Sequence, residues 1–251
     1  MKNLNKKYIA IVTLILILSC MISKPSYGVE LGRDNKTVYL TFDDGPSPST
    51  TNEILKVLEN NNIKGSFFII GKNARDNSDI IKNMNKSGMA VMPHTDSHEY
   101  NKIYSCAKSY FEDLKNCENT ISALTGKENL RFVRMPGGSD NSVASESVLD
   151  EIRKNIISNN KYYIDWSLDT GDTETAQVTV DFIESRVREY GGLYKVEVVL
   201  MHDLQNKITT IESLQKTIDF YTERGYEFKT LDNINSEEID YLKEIRVINK
   251  A

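Results

Sequence analysis

Histidine, cysteine, proline and tryptophan are scarce in this 251-residue chain, which has three, three, five and one of them. With so little proline and only thirteen glycines, no Pro/Gly linker, internal repeat or low-complexity block interrupts the sequence. Long apolar runs are also missing, apart from an uncharged stretch from Tyr8 to Ser23. Its 16 residues fall short of the roughly 20 that span a bilayer, so a multi-span membrane chain is excluded. Positive charge is in deficit, 31 basic against 36 acidic residues, which argues against nucleic acid or another polyanion as partner. What remains, 39% hydrophobic and 27% charged, is the composition of a soluble globular domain. A chain of this length can bury about three quarters of its unfolded surface in one core, so a single large domain is expected.

Lys2, Lys6 and Lys7 precede the apolar run, and Ser26-Tyr27-Gly28 follows it with small residues. This is the pattern of a secretory signal over residues 1–28, followed by a short linker over 29–36. A second reading is a lipoprotein signal ending at Ser19, with Cys20 acylated; an uncleaved anchor is a third. All three put the domain outside the cytoplasm, with membrane contact only through the N-terminus. Removing residues 1–28 leaves 27 basic and 36 acidic residues, a formal balance of -9. Cys106 and Cys117 then remain. On one helix they would stand about 16 Å apart, too far for a disulfide, so two free structural thiols are expected.

From Thr37 onward β-branched and aromatic runs alternate with stretches of helical period, the mark of a parallel α/β architecture. Seven strands are expected: Val38–Phe42, Ser66–Ile70, Met89–Met92, Phe132–Arg134, Tyr162–Leu168, Val196–Met201 and Glu227–Thr230. Helices are expected at Thr50–Asn60, Asp79–Ser87, Lys108–Leu124, Ser142–Ser158, Val180–Tyr190 and Thr209–Arg224. Residues 232–251 are polar and acidic and read as a C-terminal extension.

Each histidine lies just beyond an expected strand. His94 and His98 are four apart, which lets two imidazoles converge on one metal from a helix face or a tight loop. Taken alone, this spacing more often serves surface or packing roles. Asp43 and Asp44 end the first strand; a D-G-P turn explains them, but strand ends are also where α/β barrels build active sites. One Asp with two His would give Zn²⁺ three protein ligands and an open fourth position. Arg134-Met135-Pro136-Gly137-Gly138 offers a cation that can orient a carboxylate and a glycine N–H that can approach an oxyanion.

In order, Thr41-Phe42-Asp43-Asp44-Gly45-Pro46-Ser47, H-T-x-S-H from His94, R-x-P-G-G from Arg134, and Leu200-Met201-His202 resemble the polysaccharide deacetylase family. This is the NodB-homology domain, carbohydrate esterase family 4, and the resemblance covers Thr37 to Leu231. Gly65 to Gly71 is similar to the family's second strand. The resemblance implies a distorted (β/α) barrel of seven to eight parallel strands in one catalytic domain. It further implies a hydrolase that uses one divalent metal ion, Zn²⁺ first and Co²⁺, Ni²⁺ or Mn²⁺ behind it, to remove acetyl groups from polysaccharides. Matched position by position, Asp44, His94 and His98 are the metal ligands, Asp43 the base, His202 the acid and Arg134 the residue orienting the base. Gly137 supplies the oxyanion N–H, and Leu200 lines the acetyl-methyl pocket.

The fourth motif departs from the family's D-x-x-D-W: Thr173 stands where the final Trp belongs. In one register Asp172, in the loop past the strand end, holds the acid histidine; in the other Asp165, beside Trp166 and inside the strand, does so. The first is favoured, and Trp166 is read as a substrate wall. Gly137 replaces a tyrosine common in the family, a change expected to widen the groove. Peptidoglycan N-acetylglucosamine is the expected substrate for a monomeric extracytoplasmic enzyme; chitin oligomers and acetylated xylan are alternatives. The non-enzyme alternative is a glycan-binding pseudoenzyme, against which the intact Asp43 and His202 speak.

Overall fold

The computed structural model describes residues 36–175 and 178–250. The expected signal of residues 1–28 and all but the last residue of the 29–36 linker lie outside the described residues. In chain order the elements are β1 (Lys36–Asp43), α1 (Thr51–Asn60), β2 (Ser66–Ile69), α2 (Gly71–Asp76), α3 (Ser78–Lys86), β3 (Ala90–Pro93) and α4 (Tyr100–Ile103). They continue with α5 (Ala107–Thr125), β4 (Phe132–Val133), α6 (Glu146–Ser158), β5 (Tyr162–Tyr163), β6 (Leu168–Asp169), α7 (Val180–Tyr190) and β7 (Val196–His202). The last three are α8 (Ile208–Glu223), β8 (Tyr226–Phe228) and α9 (Ser236–Glu244).

One sheet runs β3-β2-β1-β7-β6, all strands parallel. β7 covers one edge of β1 from Thr37 to Asp43; β8 and β2 share the other edge, pairing with its beginning and its end. β4 and β5 form a separate parallel pair, and the Arg134 N–H donates to the Pro93 carbonyl at 3.4 Å, linking that pair to β3. The result is a single-domain distorted barrel whose parallel strands end together at one mouth.

β1 is buried on both faces, as parallel strands covered by helices are. Val38, Leu40 and Phe42 pack under the helices with Ile54 and Leu58 of α1. The alternate residues Thr37, Tyr39, Thr41 and Asp43 form a column on the opposite, inner face. Glu238 accepts from the hydroxyls of Thr37 and Tyr39 at its lower end, and Arg134 donates to Thr41 and Asp43 at its upper end.

Two expectations need correction. Tyr162–Leu168 is not one strand but two, because the chain changes partner midway. Tyr162 and Ile164 donate to the carbonyls of Arg131 and Val133, whereas Ser167 donates to that of Val198. Eight strands result among the described residues, and Asp165 lies in the break and not inside a strand. Residues 232–251 are also no mere extension. Ile239 and Leu242 of α9, with Val247 and Ile248, pack against Tyr39, Val196 and Val198 at the closed end of the barrel. Complete burial of one such side chain is worth about 1.5–3 kcal/mol. The periodicity was hidden by the charged face of α9, whose start is fixed by a capping box between Asn235 and Glu238.

Cys106 caps α5 at the exposed surface and Cys117 is buried within that helix; both thiols are free.

Candidate active site

A strictly pleated strand would send Asp43 and Asp44 to opposite faces. Asp43 ends β1, but Asp44 has φ of 77°, a left-handed conformation that aspartate tolerates better than most residues. The turn brings both carboxylates to one cleft. Asp203 holds the turn from below: its carboxylate accepts from the Gly45 N–H at 2.8 Å and the Thr51 hydroxyl at 2.6 Å. A Cβ on Gly45 would fall 2.0 Å from an Asp203 oxygen, so only glycine fits there. Burial, opposed by those hydrogen bonds and aided by the charges of Asp44 and Asp43, pushes the Asp203 carboxyl up to about 7.

His94 follows β3, and His98 completes a tight loop, not a helix, in which Thr95 and His98 both have positive φ (68° and 57°). The loop is tied to α5 by Asp113, which is buried. It accepts from the N–H groups of Asp96 and Ser97 at 2.6 and 2.8 Å. His94 Nδ1 lies 2.8 Å from the Arg134 carbonyl, so as donor there it leaves Nε2 facing the cleft.

One Asp44 oxygen, Oδ1, stands 3.3 Å from His94 Nε2 and 3.2 Å from His98 Nε2. It is buried without a hydrogen-bond partner among the described residues. Metal–ligand distances near 2.0–2.2 Å space tetrahedral ligands about 3.3–3.5 Å apart, so an orphaned carboxylate oxygen between two imidazoles suits a cation such as Zn²⁺. Burial would raise the Asp44 carboxyl, but the close approach and charge of His94, with His98 and His202, hold it well below the usual range. Burial opposes charging of His94, yet Asp43 and Asp44 lift it above an ordinary histidine; burial and His94 press His98 below. A proton and a cation therefore compete for His94 Nε2.

Arg134 is fully buried. One Nη1 donates to Asp43 Oδ1 at 2.8 Å and Thr41 at 2.7 Å, while Nε and Nη2 donate to the carbonyls of Ile164 and Asp165. The guanidinium also stands 4.2 Å from the Phe68 ring centroid. Across the cleft, L-x-H puts Leu200 and His202 on the same inner face of β7, opposite Thr41 and Asp43 in register. His202 Nδ1 is 2.7 Å from Asp172 Oδ1. Asp165 is engaged elsewhere, accepting from the Ser139 N–H and hydroxyl at 2.9 and 2.6 Å and pairing with Lys250 at 2.8 Å.

Asp43, Asp44, His94, His98, Leu200 and His202 line a cleft of about 330 Å³ that also includes Tyr100, Gly137, Trp166, Asp169, Thr173 and Leu204. Gly137 is exposed, and among the described residues its N–H has no acceptor. A Cβ at Gly137 would meet the Tyr100 hydroxyl at 3.1 Å, so another ring already stands beside that position. Tyr100, Asp113 and Asp203 were not singled out from the sequence. The only local signals were an aromatic two residues past His98 and an acid directly after His202.

The family model described as polysaccharide deacetylase matches residues 31–155. YheN of Bacillus subtilis, which carries the family's name, is 30% identical over 202 residues, 79% of this chain and 68% of that protein. The chain belongs to the polysaccharide deacetylase family. This family of hydrolases includes the peptidoglycan-N-acetylglucosamine deacetylase of Bacillus cereus, 28% identical to this deacetylase-family chain over 79% of its length and 70% of the relative's. Among solved structures, the catalytic domain of peptidoglycan N-acetylglucosamine deacetylase from Eubacterium rectale superposes with a TM-score of 0.73. It is 30% identical, covering 80% of this chain and 90% of that one.

Proposed function

We propose that the protein is a metal-dependent, extracytoplasmic N-deacetylase of an acetylated polysaccharide, with peptidoglycan N-acetylglucosamine as its substrate. The observation that carries this reading is the Asp44, His94 and His98 cluster, flanked by the Asp43–Arg134 pair on one side and the His202–Asp172 pair on the other. The relatives named for peptidoglycan deacetylation and the signal-like N-terminus support the substrate and the location.

A divalent cation held by Asp44, His94 and His98, with Zn²⁺ best suited to this donor set, would supply polarisation of the acetyl carbonyl and a more acidic water. The chain's own residues do the rest. Arg134 occupies Asp43 Oδ1, leaving Oδ2 to take the proton of the attacking water. The free Gly137 N–H faces the oxygen on which charge develops. Asp172 fixes Nδ1 of His202, so that Nε2 delivers its proton to the departing amine. Leu200 bounds the acetyl methyl and Trp166 the sugar. Acetate and a free amino sugar leave.

The test is acetate release from peptidoglycan, chitin oligomers and acetylated xylan, with and without chelator. Release from peptidoglycan that chelation abolishes and added metal restores is expected. Faster turnover of another glycan would reassign the substrate, and no release from any by metal-loaded protein would overturn the reading.

A further inference from the structure

Tyr100 begins α4, two residues past His98, and its ring meets the His98 imidazole edge-on with centroids 5.2 Å apart at 88°. Its neighbour Tyr104 spends its hydroxyl on the Pro136 carbonyl at 2.7 Å. The Tyr100 hydroxyl has no such partner among the described residues, although the side chain is half-buried and lines the cleft. It rests against the crest of the loop that carries the free Gly137 N–H. Trp166, which also lines the cleft, lies by the next residue of that loop, 3.2 Å from where a Cβ on Gly138 would stand. Gly137 and Gly138 have φ of 75° and 89°; Gly138 is buried, and Gly137 presents bare backbone to the cleft.

A phenolic hydroxyl both donates and accepts, and one left unpaired in a cleft is free to bind an oxygen-rich ligand. We propose that Tyr100 is a substrate-binding residue whose hydroxyl hydrogen-bonds an oxygen of the acetylated sugar lying against the bare Gly137 backbone, in the cleft that Trp166 also lines. The inference rests on the deacetylase reading above and adds a specificity contact to it. The ring meets His98 through carbon, so removing the oxygen leaves that contact in place.

Tyr100→Phe tests this, with steady-state kinetics on tetra-N-acetylchitotetraose and metal content measured alongside. The expected result is a KM raised several-fold to about tenfold, the worth of one neutral hydrogen bond, with kcat within about twofold and full metal content. The same weakening should appear in calorimetric binding of the oligomer to Asp43→Asn and to Asp43→Asn/Tyr100→Phe. An unchanged KM, a loss confined to kcat, or a loss of metal would overturn the assignment. Wild-type protein that neither binds nor hydrolyses the oligomer would overturn the chitin-like substrate contact. Only failure on every acetylated glycan would overturn the deacetylase reading itself.

Discussion

His202 and Asp172 are joined twice: Nδ1 of the imidazole lies 2.7 Å from one carboxylate oxygen, and the His202 backbone N–H donates to the other at 2.8 Å. Thr210 donates to that second oxygen as well, so the carboxylate cannot swing away. Burial alone would discourage the imidazolium, but the Asp172 hydrogen bond and charge, with Asp43 and Asp44 behind, hold His202 up at about 9.

The first prediction is a pH effect. The folded value lies above the ordinary 6.5, so this pair's contribution to stability is full below about pH 6.5 and is lost as pH rises through about 9. The acid form of His202 should therefore persist to about pH 9. Asp172→Asn should move the basic limb of the kcat/KM profile down toward neutrality and flatten melting temperature against pH over the same window. A basic limb left in place in the folded variant would remove Asp172 from this role.

Asp113 touches no expected ligand atom, yet it ties down the loop between His94 and His98 through the Asp96 and Ser97 N–H groups. Asp113→Ala should weaken divalent cation binding by about 10- to 100-fold, the range for partners that orient ligands. Titration of the apoprotein with Zn²⁺ against a competing chelator measures it, and Asp113→Asn should recover part of the loss. Unchanged affinity in a folded Asp113→Ala would count against the tether.

Asp165 separates stability from chemistry. Asp165→Ala strips the buried Ser139 N–H of its acceptor and leaves Lys250 without this partner. Roughly 1–3 kcal/mol of stability should be lost, read from urea denaturation. Turnover by the protein that remains folded should fall much less than in Asp172→Asn. The reverse order of damage would show that the wrong aspartate has been assigned to His202.

The strand and helix alternation was legible because each element carries its own record of burial. Thr37 to Asp43 is β-branched and aromatic, and the buried positions of α1 recur at helical spacing. The candidate site was legible for a related reason. Parallel strands end at one mouth, so chemistry-bearing residues at or just past the ends of successive strands must converge, which applies to Asp43, His94, Arg134 and His202 alike.

Relationships between distant segments were not legible. No local pattern says that Tyr162–Leu168 changes partner midway, that Asp44 leaves the pleat, or that residues 236–248 close the barrel's far end. Nor does one say that Tyr100 fills the space beside Gly137, or that Asp203 braces Gly45. The sequence by itself determined which segments alternate and which side chains carry chemistry, since periodicity and residue type are local properties. Only the tertiary structure decided which aspartate faces His202 and which ring stands against Gly137. Those choices rest on contacts between segments 30 residues or more apart, whose energies exist only once the barrel has closed.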